Sequence, residues 1–236
     1  HRILLGEAFG ELAQTEQDTS VLVLGPPRST GKTTGLQIPA VQTHRGPAAV
    51  FSSKPDIAIA TALHRRRSGR VWQFCPDGTG QMPGFSQIRW SPIGGDWGDC
   101  LARAQWMVQA SNMGKADRRD GGKFWESRAA TLLAVMLFYA GRTGKDMEWV
   151  VQAVAGMRLK EVFLPIVGEL QELGHSMPAD LLRGVLTTGD RTRADIFGTC
   201  SVILDAYLLP DALANTRDPN FNVEAFVRGW PDAPCG

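Results

Sequence analysis

The sequence has few cysteines, and none of them is spaced as a metal ligand. The chain contains only four, scattered without a Cys-x-x-Cys pair: Cys75, Cys100, Cys200 and Cys235. The four histidines also form no metal-binding spacing. This pattern argues against a zinc site and against a disulfide framework, and it is typical of a protein in a reducing cytoplasm.

The chain also lacks a long hydrophobic run. In the central helical region the longest uncharged stretch is Ala129–Gly141, which lies between Arg128 and Arg142. A membrane-spanning helix needs about 18 or more apolar residues, so this stretch predicts a buried core helix. No signal peptide is visible, and we expect the chain itself to be soluble.

A strong net charge is absent as well. The formal charge is +1, from 25 basic and 24 acidic residues. The chain as a whole therefore carries no nucleic-acid signature, and any contact with DNA would have to be local. Its 236 residues, 43% of them hydrophobic, suffice for one large domain or two small ones.

The first third of the chain alternates strand-like and helix-like segments. Short β-branched or aromatic runs predict strands at Ser20–Leu24, Ala48–Ser52 and Arg70–Phe74. Helices are predicted between them, at 32–41 and 54–67. Alternating strands and helices indicate a parallel sheet with helices on its faces.

The region after residue 96 is almost wholly helical in its patterning. The clearest helix is Arg191–Leu209, with Asp190 as its predicted N-cap and Pro210 as its stop. The remaining helices predicted in this region are Leu101–Ser111, Phe124–Ala140, Met147–Met157, Leu159–Leu173 and Ala179–Leu186. A polar connector, Lys115–Lys123, is predicted to be a surface loop.

The segment Gly25–Thr34, with the sequence GPPRSTGKTT, lies between a predicted strand and a predicted helix. In this context it predicts a phosphate-binding loop, whose backbone N–H groups would hold phosphate oxygens. Gly31 would allow the close approach of the backbone, Lys32 would reach the β- and γ-phosphates, and Thr33 would bind Mg²⁺. The predicted nucleotide-binding residues are Gly25, Arg28, Ser29, Thr30, Gly31, Lys32, Thr33 and Thr34.

The loop departs from the usual pattern by one residue. Five residues separate Gly25 from Gly31, where four are usual. Either Pro26 takes the place of the first glycine, with the loss of an N–H donor, or Thr30 is inserted and bulges the loop.

No second acidic motif accompanies the loop. The run Ser201–Tyr207 resembles a strand that ends in a Mg²⁺-binding aspartate, but it lies inside the predicted helix Arg191–Leu209. Asp205 is therefore predicted to be an exposed helical residue. No catalytic residue is assigned, and whether the chain is an enzyme by itself stays open.

Seven motifs in fixed order resemble one protein family. They are Leu4–Gly10, Val21–Gly35, Phe51–Asp56, Val71–Gly78, Arg89–Ile93, Phe124–Leu133 and Phe221–Gly229. Together they resemble the type IV secretion coupling proteins, TraG/TraD-like conjugative DNA-transfer ATPases, of an actinobacterial branch. One departure is Cys75, where the family commonly has aspartate in Phe-Asp-Pro.

The resemblance implies an α/β fold, with a RecA-like P-loop NTPase core interrupted by an all-α inserted domain. The expected domains are residues 1–96 for the first part of the nucleotide-binding core, 97–215 for the inserted domain and 216–236 for the return to the core. The family's Asp-Glu motor strand would follow Gly236. Because the chain begins with His1 and ends in GWPDAPCG, we expect it to be a fragment.

The resemblance also implies ATP and Mg²⁺ as cofactors, and single-stranded DNA, relaxase and other relaxosome proteins, and channel components as partners. The full-length protein would be a membrane-anchored homo-hexamer on the cytoplasmic face of the bacterial inner membrane. The function implied is that of an ATP-binding motor that drives DNA and relaxase toward the channel. The alternative is a non-hydrolysing module that recruits relaxosome proteins.

Three further sites have both a functional and a plain structural interpretation. The basic cluster His64–Arg67 with Arg70 could contact DNA phosphates, but a solvated helix end is favoured. Lys54 and Asp56 follow a predicted strand and could face the ligand, or Asp56 could simply cap its helix. Arg28 could touch phosphate or a neighbouring subunit.

Overall fold

In this computed structural model the chain forms two compact units with mixed α/β content. Residues 2–8, 10–16, 19–24, 26, 31–111 and 120–229 are described. The first unit comprises His1–Cys75, Thr79–Ile88 and Asn220–Gly236. The second, here named the helical unit, comprises Pro76–Gly78 and Arg89–Pro219. The division predicted from the sequence, at residues 96 and 215, stays a prediction.

The first unit starts with a β-hairpin, in which β1 (Leu4–Ala8) pairs antiparallel with β2 (Glu11–Gln14). A π-helical segment then runs directly into an α-helix, and a second helix and two short strands follow. These elements are the π-helix Lys32–Gln37, α1 (Ile38–Thr43), α2 (Asp56–Arg65), β3 (Trp72–Gln73) and β4 (Ser86–Gln87). β1 lies against the π-helix and α1, so the hairpin supports the start of this helical run.

The predicted sheet is much smaller than expected. Among the described residues, Ser20–Leu24 and Ala48–Ser52 belong to no sheet, and only Trp72–Gln73 of the third predicted strand is paired. That pairing is parallel, as predicted, but its partner is Ser86–Gln87. A buried parallel strand needs hydrogen-bonded neighbours, and Leu22 and Leu24 remain more than 80% exposed here.

The helical unit contains the long helices predicted from hydrophobic periodicity. Its α-helices are α3 (Trp97–Ala110), α4 (Asp120–Thr143), α5 (Met147–Gly156), α6 (Leu164–Glu172), α7 (Ser176–Leu186), α8 (Asp190–Leu204) and α9 (Pro210–Ala214). A π-helix at Leu159–Phe163 precedes α6, and a 3-10 turn at Asp205–Leu208 follows α8. The short helix α10 (Val223–Val227) belongs to the first unit.

Helix α4 forms the centre of the helical unit's core. Every side chain from 132 to 140 is buried, which confirms the prediction of a buried core helix around Ala129–Gly141. Around it, Phe163 and Phe197 meet edge to face with their ring centroids 4.9 Å apart. The Cys200 thiol lies 3.6 Å from the Ala129 carbonyl oxygen and joins α8 to α4.

Two local predictions in the helical unit need correction. Asp120–Lys123, predicted to belong to a loop, forms the first turn of α4, whereas 112–119 lie outside the described residues. Asp190 is the first residue of α8, and Gly189 occupies the N-cap position. The Asp190 carboxylate instead pairs with Arg193 one turn later, an i,i+3 arrangement that competes with capping.

Candidate nucleotide-binding site

The predicted phosphate loop ends in a glycine that starts a helix. Gly31 has φ 71° and ψ 6°, which is the left-handed region where residues with a Cβ are strained. Among the described residues, and apart from its two chain neighbours, no heavy atom lies within 4 Å of the position that a Cβ would occupy there. The backbone conformation itself therefore favours a glycine where the chain enters the helix.

Lys32 is the first residue of the helical run and reaches back across the loop. Its half-buried side chain donates a hydrogen bond from Nζ to the Pro26 carbonyl oxygen. The ammonium group is thereby held on the loop side of the helix start. This is the position that a lysine needs in order to serve phosphate oxygens bound at the same N-terminus.

The first turns of this helical run are wider than those of an α-helix. The Ile38 N–H donates to the Thr33 carbonyl oxygen, five residues earlier, while the Gly35 N–H donates to Gly31 at 2.6 Å. Single π-turns inside helices occur frequently at functional sites. A loop one residue longer than usual is thus followed directly by a helical turn whose hydrogen bond spans one residue more than in an α-helix.

The predicted site residues fall into two groups. Gly31, Lys32, Thr33 and Thr34 are brought together at the helix start, where Thr33 is half-buried and Thr34 is exposed. Gly25, Arg28, Ser29 and Thr30 lie outside the described residues.

The residue types at the described helix start are of the kind that can serve phosphate oxygens. The first N–H groups of a helix lack intrahelical partners and attract anions, and Lys32 adds a positive charge beside them. The Thr33 hydroxyl would serve as a hard oxygen ligand for Mg²⁺. Among the described residues no group of three or more His, Cys, Asp or Glu side chains forms a metal-binding cluster.

The side-chain amide of Gln73 organises the loop that follows β3. Its Nε2 donates to the Gly80 carbonyl at 2.8 Å, and its Oε1 accepts from Met82 N–H at 2.9 Å and from Gln87 Nε2 at 3.0 Å. Sequence reasoning did not single out this glutamine. The one available signal was its place inside the motif Val71–Gly78, as a polar residue in an apolar strand.

Two other motif segments are held in place within the helical unit. The Trp90 N–H donates to the Asn215 carbonyl at 2.9 Å, and Asn215 Nδ2 donates to the Pro76 carbonyl at 2.9 Å. Arg103 from α3 donates to the carbonyls of Pro92 and Gly94. The motif Arg89–Ile93 is therefore fixed through its backbone.

The remaining candidate residues have mostly structural roles. The Asp56 carboxylate accepts from the Ile57 N–H at 3.0 Å, but Asp56 is the first residue of α2 and Pro55 occupies the N-cap position, so the capping interpretation needs correction. Asp205 is exposed in the 3-10 turn after α8, so its predicted exposure is confirmed. The Cys75 thiol donates to the Thr79 carbonyl.

The chain matches the family model described as type IV secretory system conjugative DNA transfer over residues 5–229. The match covers nearly the whole chain and confirms the resemblance to the coupling proteins. The chain therefore belongs to the conjugative DNA-transfer family of type IV secretion. No curated protein and no solved structure matches it. None of the helices in the described ranges combines the length and apolar character needed to span a membrane.

Proposed function

We propose that the chain is the ATP-binding part of a motor that drives DNA toward a type IV secretion channel. The observation that carries the proposal is the start of the π-helix, where left-handed Gly31 is followed by Lys32, Thr33 and Thr34. Membership of the conjugative DNA-transfer family supplies the context. A lysine held at a helix N-terminus beside an open glycine is the arrangement that phosphate binding needs.

On nucleotide binding, Lys32 would exchange one partner for another. Its ammonium group would leave the Pro26 carbonyl and move to the phosphates, where a charged acceptor makes a stronger hydrogen bond than a neutral carbonyl does. Thr33 would hold Mg²⁺, which supplies charge neutralisation of the phosphates when bound. The backbone around Gly31 would keep the phosphates close to the helix start.

The exposed apolar side chains of the first unit favour a RecA-like core as the larger assembly. Leu22, Leu24 and Phe51 are 82%, 84% and 97% exposed, and they lie in the two segments predicted as strands. Such side chains are covered in a parallel sheet with helices on both faces. We infer that these segments become central strands when further strands of the motor domain are present.

The helical unit is proposed to be the inserted all-α domain of this motor. Its core is continuous around α4 and is built from its own residues, as expected for a domain inserted into a sheet-forming core. Single-stranded DNA, relaxase and other relaxosome proteins, and channel components are the proposed partners. The assembled motor is proposed to be a homo-hexamer at the cytoplasmic face of the inner membrane.

The proposal predicts that this 236-residue chain binds ATP without multiple turnovers, because no apolar run in it ends in the Asp-Glu pair that would activate water. Phosphate release from excess Mg-ATP should remain below one equivalent per chain, and Lys32→Ala should not change it. Release of many equivalents that disappears in Lys32→Ala would contradict the prediction. If the chain bound relaxosome proteins but no ATP, the recruiting module would replace the motor.

A further inference from the structure

The first unit carries a local concentration of arginines that the near-zero net charge conceals. Residues 57–75 contain four arginines, no lysine and no acidic residue. The adjoining part of the same unit, Thr79–Ile88, contains no charged residue at all. The acidic residues nearest to this stretch in sequence are Asp56 and Asp77, which flank it. Such a patch favours a polyanion.

Two of these arginines lie over aromatic rings at the same end of the small parallel sheet. The Arg70 guanidinium carbon lies 5.2 Å from the Trp72 ring centroid, and that of Arg66 lies 5.8 Å from the Phe85 centroid. Trp72 is paired in parallel with Ser86, so both pairs lie at the amino-terminal ends of β3 and β4. Two guanidinium–aromatic pairs thus lie at the same end of the small parallel sheet.

The Trp72 ring, over which Arg70 lies, packs against further aromatic rings. Trp72 meets Phe221 edge to face at 5.3 Å, and Phe221 in turn contacts Phe226 at 5.4 Å. Asn220 Nδ2 donates to the Gln87 carbonyl at 3.0 Å, which ties this segment to β4. The surface under Arg70 is therefore preorganised, which reduces the entropy lost on binding.

The arginines at and after the end of α2 have different roles: one fixes the helix end and the others are exposed. Arg65 donates to the carbonyls of His44 and Gly46 and is half-buried, so it fixes the helix end. Arg66 donates to the Gly84 carbonyl while its exposed guanidinium covers Phe85. Arg67 and Arg70 are exposed. A solvated helix end accounts for Arg67, but it does not account for the stacking of Arg66 on Phe85 or of Arg70 on Trp72.

We propose that Arg66, Arg67, Arg70, Trp72 and Phe85, here named the arginine platform, bind the phosphate backbone of single-stranded DNA. Planar guanidinium groups bind phosphate in a bidentate manner and stack on aromatic rings and bases, which lysine does less well. An anionic membrane surface is recognised mainly by the number of basic residues and needs no aromatic ring beneath them. The proposal rests on the DNA-transfer function and adds a DNA contact outside the phosphate loop.

The test measures binding of fluorescein-labelled oligo(dT) to the whole chain by anisotropy over a range of salt concentrations. Arg67→Gln combined with Arg70→Gln removes two charges without breaking the Arg66 contact to Gly84. The matched control is Lys160→Gln with Arg191→Gln, which removes two exposed charges from the helical unit. We expect the salt slope to fall by about 1.4 for the platform variant, at about 0.7 per phosphate contact on a single strand, and to be unchanged in the control.

Two further measurements make the result decisive. Arg70→Lys, which keeps the charge, should weaken oligo(dT) binding if stacking contributes. Loss of oligo(dT) binding with unchanged binding to phosphatidylglycerol vesicles supports the proposal. Equal losses in the platform and control variants, equal losses toward both probes, a loss toward vesicles alone, or no oligo(dT) binding by the wild-type chain would each overturn it.

A variant of the phosphate loop separates this inference from the proposed ATP site. Lys32→Ala should leave oligo(dT) binding intact, and the platform variant should leave Mg-ATP binding intact. If ATP binds and the platform variant binds oligo(dT) like the wild type, the inference alone fails. If oligo(dT) binding depends on the platform but ATP does not bind, the motor proposal alone fails.

Discussion

The phenol of Tyr139 links the central helix of the helical unit to α6. Its hydroxyl donates to the Glu169 carboxylate at 2.6 Å, and its ring lies 5.5 Å from that of Trp149. Burial, together with the hydrogen bond to Glu169 and its negative charge, raises the pKa of Tyr139 to about 12. The neutral phenol is thus the form that the folded chain requires.

This contact predicts an alkaline transition. A folded-state pKa above the unfolded value of about 10 gives stability that is present below pH 10 and lost as the pH rises toward 12. Tyr139→Phe should lower the free energy of unfolding at pH 7 by about 1 kcal/mol and flatten its decline above pH 10. Urea unfolding at several pH values measures both effects.

The other tyrosine provides the control. Burial also raises the pKa of Tyr207, so Tyr207→Phe should keep the part of the alkaline decline that comes from Tyr139. If Tyr139→Phe left the decline unchanged, the decline would not come from a raised pKa of Tyr139, and this prediction would be wrong.

At the scale of single elements, α3 shows how a short local pattern fixes a helix start. The Asp96 carboxylate accepts from the Asp99 N–H at 2.9 Å, and the Asp99 carboxylate accepts from the Asp96 N–H at 3.1 Å. This reciprocal capping box satisfies two backbone donors that the helix itself leaves unpaired. It sets the direction in which α3 leaves the Arg89–Ile93 motif.

Removing the cap should therefore destabilise the helical unit. Asp96→Ala is expected to cost about 1 kcal/mol in urea unfolding, because a buried core depends on the position of α3. Asp96→Ser keeps a capping oxygen and should recover most of that loss. A cost that was equal for serine and alanine would mean that the carboxylate acts through its charge instead.

The helices could be read from the sequence because their signals are local. The periodic apolar residues of α8 and the uncharged run of α4 predicted those helices to within a few residues. The strands predicted at 20–24 and 48–52 belong to no sheet in the described residues, since a strand exists only through pairing with distant residues, which a local pattern does not specify. The pairing of Trp72 with Ser86 is non-local in the same sense.

The candidate site was only partly accessible from the sequence. The pattern around Lys32 identified the helix start, but the αL conformation of Gly31 could not be predicted, because a residue before a helix is usually in the β region. The π-turn and the three hydrogen bonds of the Gln73 side-chain amide cannot be predicted from composition and spacing. The stacking of Arg70 on Trp72 is likewise a property of the folded sheet edge.

At the scale of the whole molecule, the two units differ in how completely they bury apolar surface. The large buried core belongs to the helical unit and surrounds α4. The first unit leaves Leu22, Leu24 and Phe51 largely exposed while presenting the helix start with Gly31 and Lys32. The proposed function would account for both observations if this face binds a nucleotide and other segments complete its sheet.

The most direct test of this account is calorimetric titration of the chain with Mg-ATP, compared with Lys32→Ala and with Lys160→Ala as an exposed-lysine control. The account predicts saturable binding that weakens at least tenfold, or about 1.4 kcal/mol, in Lys32→Ala and is unchanged in the control. Binding that survived Lys32→Ala, or no binding by the wild-type chain, would contradict the assignment of the phosphate site. The helical unit would then be the functional part, as a module that recruits relaxosome proteins.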